Sequence, residues 1–311
     1  MTIAWLFPGQ GSQSVGMAKD VVAASAAARD VFARADEALG EKLSALILEG
    51  PEDQLTLTAN AQPAIVTVSC ALLAAIRERV PSLALPAFGA GHSLGEYSAL
   101  VASGALSLED AVRIVRARGQ AMQEAVPAGT GAMAAVMGID PAKLEELCRA
   151  ASGSEVVSPA NFNGPGQIVV AGHAAAVARL GALVEGEKGK AIPLKVSAPF
   201  HCALMAPAGR VVADKLGAVK VNAPSFPIVA NVDARPNSDA ARVKELLVRQ
   251  VDSPVRWDES VRFIAGAGVD RAIEIGPGKV LAGLARRIAK EVRVLSVGDV
   301  ASLDQVAAFL A

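Results

Sequence analysis

The sequence predicts an α/β protein with a mostly parallel sheet and a smaller ferredoxin-like domain inserted into it. Along most of the 311 residues, short apolar runs typical of strands alternate with longer amphipathic runs typical of helices. Residues 131–196 differ, because their elements follow the order β-α-β-β-α-β. The segment Gly91-His92-Ser93-Leu94-Gly95 is a G-x-S-x-G sequence, typical of a sharp strand-to-helix turn. We therefore expect a large domain of residues 1–127 and 198–311, interrupted by a small domain of residues 128–197.

The first part of the large domain begins with a short buried strand, which Pro8-Gly9 ends. Ser107 precedes two acidic residues and is a candidate helix cap. In chain order, the predicted elements are a strand over Ile3–Phe7, a helix over Ala61–Val80, a strand over Ala87–Ala90, a helix over Leu94–Ala102 and a helix from Leu108 toward Val126.

The small domain is predicted from six segments, one of which begins with proline at a first helical position after Asp140. They are a strand over Ala132–Met137, a helix from Pro141 to about Ala150, strands at Val156-Val157 and over Gln167–Ala171, a helix over Ala174–Val184 and a strand over Ala191–Val196.

After Pro199 the alternation resumes, which returns the chain to the mostly parallel sheet. The predicted elements are a helix over Leu204–Val219, a strand over Pro227–Val232, helices over Ala240–Val251 and Trp257–Ala267, a strand over Ala272–Ile275 and a helix through Ala289.

Composition and charge argue against several classes of partner and cellular location. A net charge of −1 gives no basic field for nucleic acid. Three cysteines (Cys70, Cys148 and Cys202) lack metal-ligand spacing, and their odd number favours reduced thiols. The apolar N-terminus reaches Pro8-Gly9 too soon for a signal peptide, and no apolar run is expected to span a bilayer. We therefore predict a cytoplasmic protein without metal, nucleic acid or membrane as partner.

Ser93 is the candidate nucleophile, and a serine hydroxyl needs a base to take its proton. His92 is the neighbouring residue, so its side chain diverges from that of Ser93, although a supporting role near the site is open. His173 begins a helix and is interpreted as a surface or capping histidine. By elimination His201 is the base, the alternative being a core histidine bonded to a carbonyl. Since no histidine follows it, the pair is expected to be oriented by a carbonyl or amide.

Arg118 is a charged residue on an apolar helix face. On a helix over 108–122, it falls within an arc of roughly 80° that also holds Leu108, Ala111, Val115 and Met122. A buried guanidinium is costly unless it meets an anion. Its rigid fork suits a substrate carboxylate, and Gly119 leaves room for a ligand or a neighbouring backbone. An internal ion pair with Asp or Glu is the equal alternative.

The loop after the first strand, Pro8-Gly9-Gln10-Gly11-Ser12-Gln13, is rich in small residues. One backbone N–H from it, together with that of Leu94, would form an oxyanion hole. A dinucleotide-binding loop is excluded because Ser14 stands where the third glycine of G-x-G-x-x-G belongs. Gly276-Pro277-Gly278-Lys279 lacks P-loop spacing and is interpreted as a tight turn.

Seven segments in this order resemble one known family. They are Phe7-Pro8-Gly9-Gln10-Gly11-Ser12-Gln13, Gly91-His92-Ser93-Leu94-Gly95-Glu96-Tyr97, Arg118-Gly119-Gln120-Ala121-Met122-Gln123, Gly131-Ala132-Met133-Ala134-Ala135-Val136, Asn161-Phe162-Asn163-Gly164-Pro165-Gly166-Gln167, His201-Cys202-Ala203-Leu204-Met205 and Ile273-Glu274-Ile275-Gly276-Pro277-Gly278. The chain resembles the malonyl-CoA:acyl carrier protein transacylases of fatty acid synthesis almost from end to end.

This resemblance implies roles for individual residues. Ser93 corresponds to the serine that becomes malonylated, His201 to its base and Arg118 to the arginine that binds the malonyl carboxylate. Gln10 and Leu94 correspond to the backbone donors of the oxyanion hole. The implied large-domain fold is α/β-hydrolase-like.

The resemblance also implies the partners and the substrate. Gln250 corresponds to a glutamine that helps to orient the histidine, and Phe200 fits a malonyl-selective pattern. Malonyl-CoA and acyl carrier protein are the implied partners, with coenzyme A as part of the substrate and no bound cofactor.

Three alternatives remain. A polyketide-pathway acyltransferase acting in trans would use the same chemistry. A serine esterase or thioesterase is disfavoured by Arg118 and by the absence of a late histidine. A non-catalytic partner in a synthase complex is disfavoured because every matched catalytic position is filled.

Overall fold

The structure is a computed structural model that describes residues 2–196 and 198–311. Its elements are numbered in chain order. The strands are β1 (Ile3–Phe7), β2 (Phe88–Gly91), β3 (Gly131–Met137), β4 (Val157–Gly164), β5 (Gln167–His173), β6 (Lys190–Pro193), β7 (Ile228–Val229), β8 (Pro236–Asn237), β9 (Arg271–Ile275) and β10 (Arg293–Val297).

The helices are numbered separately from the strands, also in chain order. A short 3₁₀ turn over Ala203–Met205 precedes α10. The helices are α1 (Lys19–Ala24), α2 (Ala26–Leu39), α3 (Leu43–Glu49), α4 (Glu52–Thr56), α5 (Thr58–Arg79), α6 (Gly95–Ala102), α7 (Leu108–Glu124), α8 (Pro141–Ser152), α9 (Ala174–Gly186), α10 (Ala206–Gly217), α11 (Ala240–Gln250), α12 (Trp257–Gly266), α13 (Val280–Ile288), α14 (Val300–Leu303) and α15 (Val306–Leu310).

The large sheet has six strands in the order β10-β9-β1-β2-β7-β8. All neighbours are parallel except β7 and β8, which are antiparallel. Every residue of β1 is buried, because helices cover both faces of the sheet. The carboxyl ends of β1 and β2 therefore lie side by side, where open α/β sheets bind their ligands.

Two apolar cores lie on opposite faces of this sheet. Trp5 and Phe7 of β1 pack with α2, α5, α7 and α10 on one face. Ala4 and Leu6 point the other way and pack with α12 and α13. The alternation follows from the period of two along a strand, so β1 contributes to both cores.

The small sheet is antiparallel, has the order β4-β5-β3-β6 and is built only from Gly131–Pro193. Helices α8 and α9 pack on one face through residues such as Leu144 and Leu180. The opposite face carries Met133 and Val169, which pack against Cys202 and Phe200 of the following chain. This face is therefore turned toward the segment that carries His201.

The predicted coarse architecture is confirmed, and several bounds are corrected. Ser107 caps α7 as expected, its Oγ accepting from the Asp110 N–H at 3.0 Å. The helix predicted from Leu94 begins at Gly95, and that predicted toward Val126 ends at Glu124. The β-α-β-β-α-β order between 131 and 193 is observed.

Three predicted elements differ more strongly. Only Ile228–Val229 of the strand predicted over Pro227–Val232 pairs with β2, since the chain then turns back to form β8. Strand β4 is much longer than Val156-Val157, because register shifts let its Pro and Asn residues join the ladder. The last small-sheet strand ends at Pro193 instead of Val196.

One expectation about membranes was wrong. The sequence was expected to hold no apolar run long enough to span a bilayer, yet Thr58–Arg79 has the required length and apolar composition. In the structure 83% of its most apolar stretch is buried inside the protein. Helix α5 is thus a central core helix, packed against α2 and α7.

Candidate active site

The turn between β2 and α6 presents Ser93 in a strained conformation. Its φ of +50° lies in the left-handed region, which residues other than glycine seldom adopt. A Cβ on Gly91 would lie 1.9 Å from the carbonyl carbon of Gly95, and one on Gly95 would lie 2.0 Å from the Phe7 oxygen. Both glycines are therefore required for the helix to pack this closely behind the turn.

His201 contacts the candidate nucleophile directly. Its Nε2 lies 2.7 Å from Ser93 Oγ, and its Nδ1 lies 2.8 Å from the backbone oxygen of Gln250. With Nδ1 donating to that carbonyl, Nε2 is left to accept the Ser93 proton. The expectation that a carbonyl, and not a carboxylate, orients this histidine agrees with the geometry.

His201 is electrically neutral at physiological pH. Burial, followed by the nearby positive charge of Arg118, lowers the pKa of His201 from 6.5 to about 3. Only 4% of the residue is exposed. A neutral imidazole with a free Nε2 lone pair can accept a proton, which is the state that a general base needs.

Arg118 lies beside Ser93, with only 1% of its surface exposed. Its Nη1 donates to Gln62 Oε1 at 2.9 Å, and its Nη2 donates to Gln250 Oε1 at 3.0 Å and to Ser93 Oγ at 3.2 Å. The guanidinium also lies 5.7 Å from the ring centre of Tyr97. All of these partners are neutral.

The internal ion pair weighed for Arg118 is not formed. Within residues 2–196 and 198–311, no carboxylate oxygen lies within 4.0 Å of its guanidinium nitrogens. Its Nε is buried and has no hydrogen-bond partner there. A buried cation that meets only neutral acceptors is suited to an incoming anion.

The space beside Gly119 is filled by protein. A Cβ on Gly119 would lie 2.6 Å from the Thr58 backbone oxygen and 2.8 Å from Ala59 Cα. Of the two possibilities for this glycine, the structure therefore shows close approach of neighbouring backbone, at the start of α5.

Gln10 and Leu94 line the same cavity as Ser93, which has a volume of about 500 Å³. The side chain of Gln10 is held by a 3.1 Å hydrogen bond from its Nε2 to Thr58 Oγ1. In the part of the chain that the structure describes, neither backbone N–H donates to a protein acceptor. Both donors are thus free for a ligand oxygen in this cavity.

The cavity lies between the two sheets. The large-sheet part contributes the turns after β1 and β2 and the start of α13, and the small sheet contributes Met133, Asn161 and Val169. Phe200 and His201 line it from the segment that follows the small sheet. Residue 197, at the end of the predicted insertion, lies outside the described residues.

Asn231 holds the turn, although no sequence motif indicated a role for it. Its Oδ1 accepts from the Ser93 N–H at 2.6 Å, and its Nδ2 donates to the Gly91 oxygen at 2.7 Å. Its only sequence signal was an asparagine within the apolar run predicted as a strand. That single polar residue marks where the strand ends at the site.

Gln250 acts through both its backbone and its side chain. The side-chain Oε1 accepts from Arg118, while Nε2 donates to the backbone carbonyl oxygen of Ser93 at 2.9 Å and to Glu96 Oε2 at 2.8 Å. The backbone oxygen holds His201, so one residue links the histidine, the arginine and the turn.

Glu96 is a second residue of the site whose role no sequence motif indicated. It is 3% exposed, and its Oε2 also accepts from the Asn231 N–H at 3.1 Å. Burial raises the pKa of Glu96 from 4.5 to about 7, against the lowering effect of its hydrogen bonds and of Arg118.

The other two histidines are not bases for Ser93. His92 Nε2 lies 2.8 Å from Asn163 Oδ1, and its ring lies 5.5 Å from that of Trp257. Burial lowers the pKa of His92, and the residue lines the cavity, where its Nε2 is bonded to Asn163 and not to the Ser93 hydroxyl. His173 precedes α9, where its Nδ1 accepts from the Val156 N–H at 2.9 Å.

The described residues contain no cluster of three His, Cys, Asp or Glu side chains that could hold a metal ion. Cys70, Cys148 and Cys202 are all buried and free.

Comparison with known proteins identifies similar chains. A sequence profile of the acyl transferase domain family matches residues 4–305. The malonyl CoA-acyl carrier protein transacylase of Salmonella typhimurium is 47% identical over 302 residues, which cover 97% of each chain. The protein of the same name from Bacillus subtilis is 47% identical over 304 residues, or 97% of this chain and 95% of its own.

Solved structures agree in fold. An acyl carrier protein S-malonyltransferase from Vibrio cholerae superimposes with a TM-score of 0.95 at 46% identity, covering 98% of this chain and all of the other. A malonyl-transacylase solved in complex with its type II PKS acyl-carrier protein has a TM-score of 0.95 at 43% identity, with 98% of each chain covered.

Proposed function

This chain belongs to the acyl transferase family, and we propose that it moves a malonyl group from coenzyme A to the phosphopantetheine thiol of acyl carrier protein for fatty acid synthesis. One observation carries the proposal. A serine that contacts a neutral imidazole also contacts a buried arginine whose protein partners are all uncharged.

The first half of the reaction acylates the serine. His201 Nε2 takes the proton of Ser93 Oγ, and the oxygen attacks the thioester carbonyl of malonyl-CoA. When the tetrahedral intermediate collapses, the carbon–sulfur bond breaks and the proton on His201 passes to the leaving thiolate. Malonyl-serine and free coenzyme A result.

The developing oxyanion is stabilised by the backbone N–H groups of Gln10 and Leu94. Both lie on the same cavity as Ser93, and neither is used by a protein acceptor in residues 2–196 and 198–311. Removing one such donor from an oxyanion hole typically costs ~10²–10³-fold in rate.

Arg118 binds the free carboxylate of the malonyl group. Its Nη2 lies 3.2 Å from Ser93 Oγ, so the anion it binds lies a short acyl chain away from the reacting carbonyl. An acetyl group has no carboxylate for this cation, and the site therefore selects malonyl through a charge that only malonyl neutralises.

The second half transfers the acyl group. The carrier-protein thiol gives its proton to His201, its sulfur attacks the malonyl-serine carbonyl, and Ser93 leaves with the proton. Since one thioester replaces another, the reaction is reversible and ping-pong. The buried location of His201 limits the access of water that would compete with the thiol.

We further infer an α/β-hydrolase-like large domain over residues 1–127 and 198–311 and a ferredoxin-like small domain over residues 128–197. The small-sheet order β4-β5-β3-β6 and its two helices on one face support the second description. Three buried, free cysteines are consistent with a reducing, cytoplasmic location. Coenzyme A takes part as substrate, with no resident cofactor.

Transfer to a polyketide-pathway carrier protein is the second candidate, because the chain superimposes closely on a transacylase solved with a type II PKS carrier protein. A serine esterase or thioesterase is disfavoured, since such an enzyme has no use for a cation buried beside its nucleophile. The two carrier classes can be compared directly as acceptors in the assay below.

The test is intact-mass analysis after exposure to malonyl-, methylmalonyl- and acetyl-CoA. We expect one malonyl adduct on the native protein, none on Ser93→Ala, and release of the adduct by carrier protein. A malonyl adduct on Ser93→Ala would refute the nucleophile. Free malonate as the main product, in the presence of carrier protein, would make the protein a hydrolase.

A further inference from the structure

Glu96 is a buried carboxylate for which the acyl-transfer steps have no use. It lies on α6, three residues after Ser93, and is 3% exposed. Both of its hydrogen bonds, from Asn231 N–H and Gln250 Nε2, end on Oε2. No described residue donates a hydrogen bond to Oε1.

Arg118 is an opposite charge that acts on Glu96, and the side-chain amide of Gln250 bonds to both residues. Gln250 donates from Nε2 to Glu96 and accepts at Oε1 from Arg118 Nη2 at 3.0 Å. The amide thus connects a buried anion to a buried cation that are not in direct contact. With Glu96 ionised, the site holds one positive and one negative charge.

Tyr97 and His201 add no charge to this pair, whereas Asp233 adds a negative charge that is itself paired with Arg242, whose Nη2 lies 3.2 Å from Asp233 Oδ2. Tyr97, on the same helix, stays neutral because burial raises its pKa to about 12. His201 is neutral because burial and Arg118 lower its pKa to about 3. Asp233, from the turn after β7, acts on Glu96 from a partly exposed position and favours its protonated form.

We propose that Glu96 is the resting counter-anion of Arg118 and takes up a proton when the carboxylate of a substrate binds that arginine. The inference rests on the proposed function, because it needs a substrate with a free carboxylate. The proton comes from solvent and is bound at Oε1, which leaves both hydrogen bonds to Oε2 in place.

The physical reason is the cost of a net charge in a buried site. With a malonyl carboxylate bound to Arg118, two anions, that carboxylate and Glu96, would share one cation. Protonation of Glu96 restores neutrality, and two carboxylates close to one another cannot both stay ionised without penalty. Since burial already places the pKa of Glu96 at about 7, the step is accessible near neutral pH.

The experiment measures proton uptake on binding. Ser93→Ala keeps Arg118 and Glu96 but cannot be acylated, so malonyl-CoA binding can be followed by titration calorimetry in buffers of different ionisation enthalpy. We expect uptake of a fraction of one proton, larger at pH 8 than at pH 6. Acetyl-CoA shares the nucleotide phosphates but lacks the carboxylate, and should show no such uptake.

The matched variant is Ser93→Ala combined with Glu96→Gln, since glutamine has the shape of protonated glutamate. It should lose the malonyl-specific uptake and bind malonyl-CoA as tightly at pH 8 as at pH 7. In the parent, which is the Ser93→Ala protein with Glu96 intact, the affinity for malonyl-CoA should fall by up to about tenfold per pH unit above pH 7, because binding is linked to uptake of one proton.

Equal proton uptake in the parent and in the Glu96→Gln variant would overturn the proposal. So would equal pH dependence for malonyl-CoA and acetyl-CoA in the parent, a comparison that needs no substitution at Glu96. Failure of the proposed function gives a different result, namely no preference for malonyl-CoA over acetyl-CoA at any pH and no adduct on the native protein.

Discussion

Arg118 makes two kinds of interaction that can be separated by substitution. Its charge is buried, and its planar fork has donors placed on Gln62, Gln250 and Ser93. Lysine would keep the charge but present it as a single point, and alanine would remove both. The selectivity of the site for a carboxylate should therefore fall partly with lysine at position 118 and further with alanine.

We predict that Arg118→Ala lowers kcat/KM for malonyl transfer by about 10²–10⁴-fold, the loss of two charge-assisted hydrogen bonds at ~1.5–3 kcal/mol each. Acetyl transfer should be unchanged or faster, and Arg118→Lys should be intermediate for malonyl. The measurement is transfer from malonyl-CoA and acetyl-CoA to carrier protein, with thermal unfolding to show that each variant folds.

Arg113→Ala is the control for this substitution. Arg113 lies on the same helix, but it is exposed and its Nε donates to the Ala38 oxygen. Its loss should leave both transfer rates unchanged. If Arg118→Ala kept the malonyl preference of the native protein, the arginine would be structural.

The sequence predicted the residues of the site that break a local pattern. Ser93 interrupts a glycine-rich turn, Arg118 interrupts an apolar stripe, and His201 was found by elimination. Gln62 and Glu96 could not be found in this way, and the one signal of Asn231, an asparagine in an apolar run, did not indicate its role. Their roles depend on hydrogen bonds to residues far along the chain, such as the contact of Asn231 with Ser93.

At the scale of the element, helix α7 and helix α13 each contain a glycine, and the two have opposite surroundings. A Cβ on Gly119 would meet the backbone of α5 at 2.6 Å, and one on Gly283 would have no atom within 4 Å. Backbone moves less readily than a side chain, so the first contact cannot be relieved locally. The second position carries only the entropic cost of glycine.

We predict that Gly119→Ala destabilises the protein by at least ~1–3 kcal/mol through overpacking, whereas Gly283→Ala stabilises it by ~0.5–1 kcal/mol. Gly119→Ala should also lower malonyl transfer, because Arg118 is the preceding residue. Urea unfolding of the two variants measures both effects. The close packing of α5 on α7 would be refuted by a Gly119→Ala protein as stable as Gly283→Ala.

Element prediction succeeded where periodicity and capping agreed and failed where tertiary pairing decides. Helix α7 has an apolar stripe and a serine cap, and its start was predicted to the residue. Strand β7 has only two paired residues, although a run of six residues, five of them apolar or small, suggested a longer strand. Its length is set by Asn231, whose backbone N–H donates to Glu96 and so leaves the ladder.

At the scale of the whole molecule, the coarse fold followed from the alternation of elements, whereas the residues that the small sheet contributes to the cavity could not be predicted. Residues from both sheets line it, including Gln10 after β1 and Met133 on β3. The sequence indicated that a domain junction lies at His201, which favours a cleft. Which small-sheet residues face that cleft depends on the packing of Met133 and Val169 against Phe200.

Two buried titratable groups of this site should give the whole protein opposite dependences of stability on pH. The pKa of His201 is lowered from 6.5 to about 3, so between these values the unfolded chain binds the proton and the native state does not. The contribution of His201 to the free energy of unfolding is fully present above pH 6.5 and is lost as pH falls toward 3. The pKa of Glu96 is raised from 4.5 to about 7, so its contribution is present below pH 4.5 and is lost as pH rises through 7.

We predict that His201→Asn removes the acid-side loss. Asn can keep a donor for the Gln250 backbone oxygen. The free energy of unfolding of the variant, relative to that of the native protein, should therefore rise by at most ~1.4 kcal/mol per pH unit as pH falls below 6.5. Glu96→Gln should gain on the native protein as pH rises from 4.5 to 7, since it has no proton to lose. Urea unfolding of all three proteins from pH 4.5 to 8 measures both differences. Curves that stay parallel across this range would mean that neither group titrates differently in the folded and unfolded states, and the neutral histidine required of the base would lose its support.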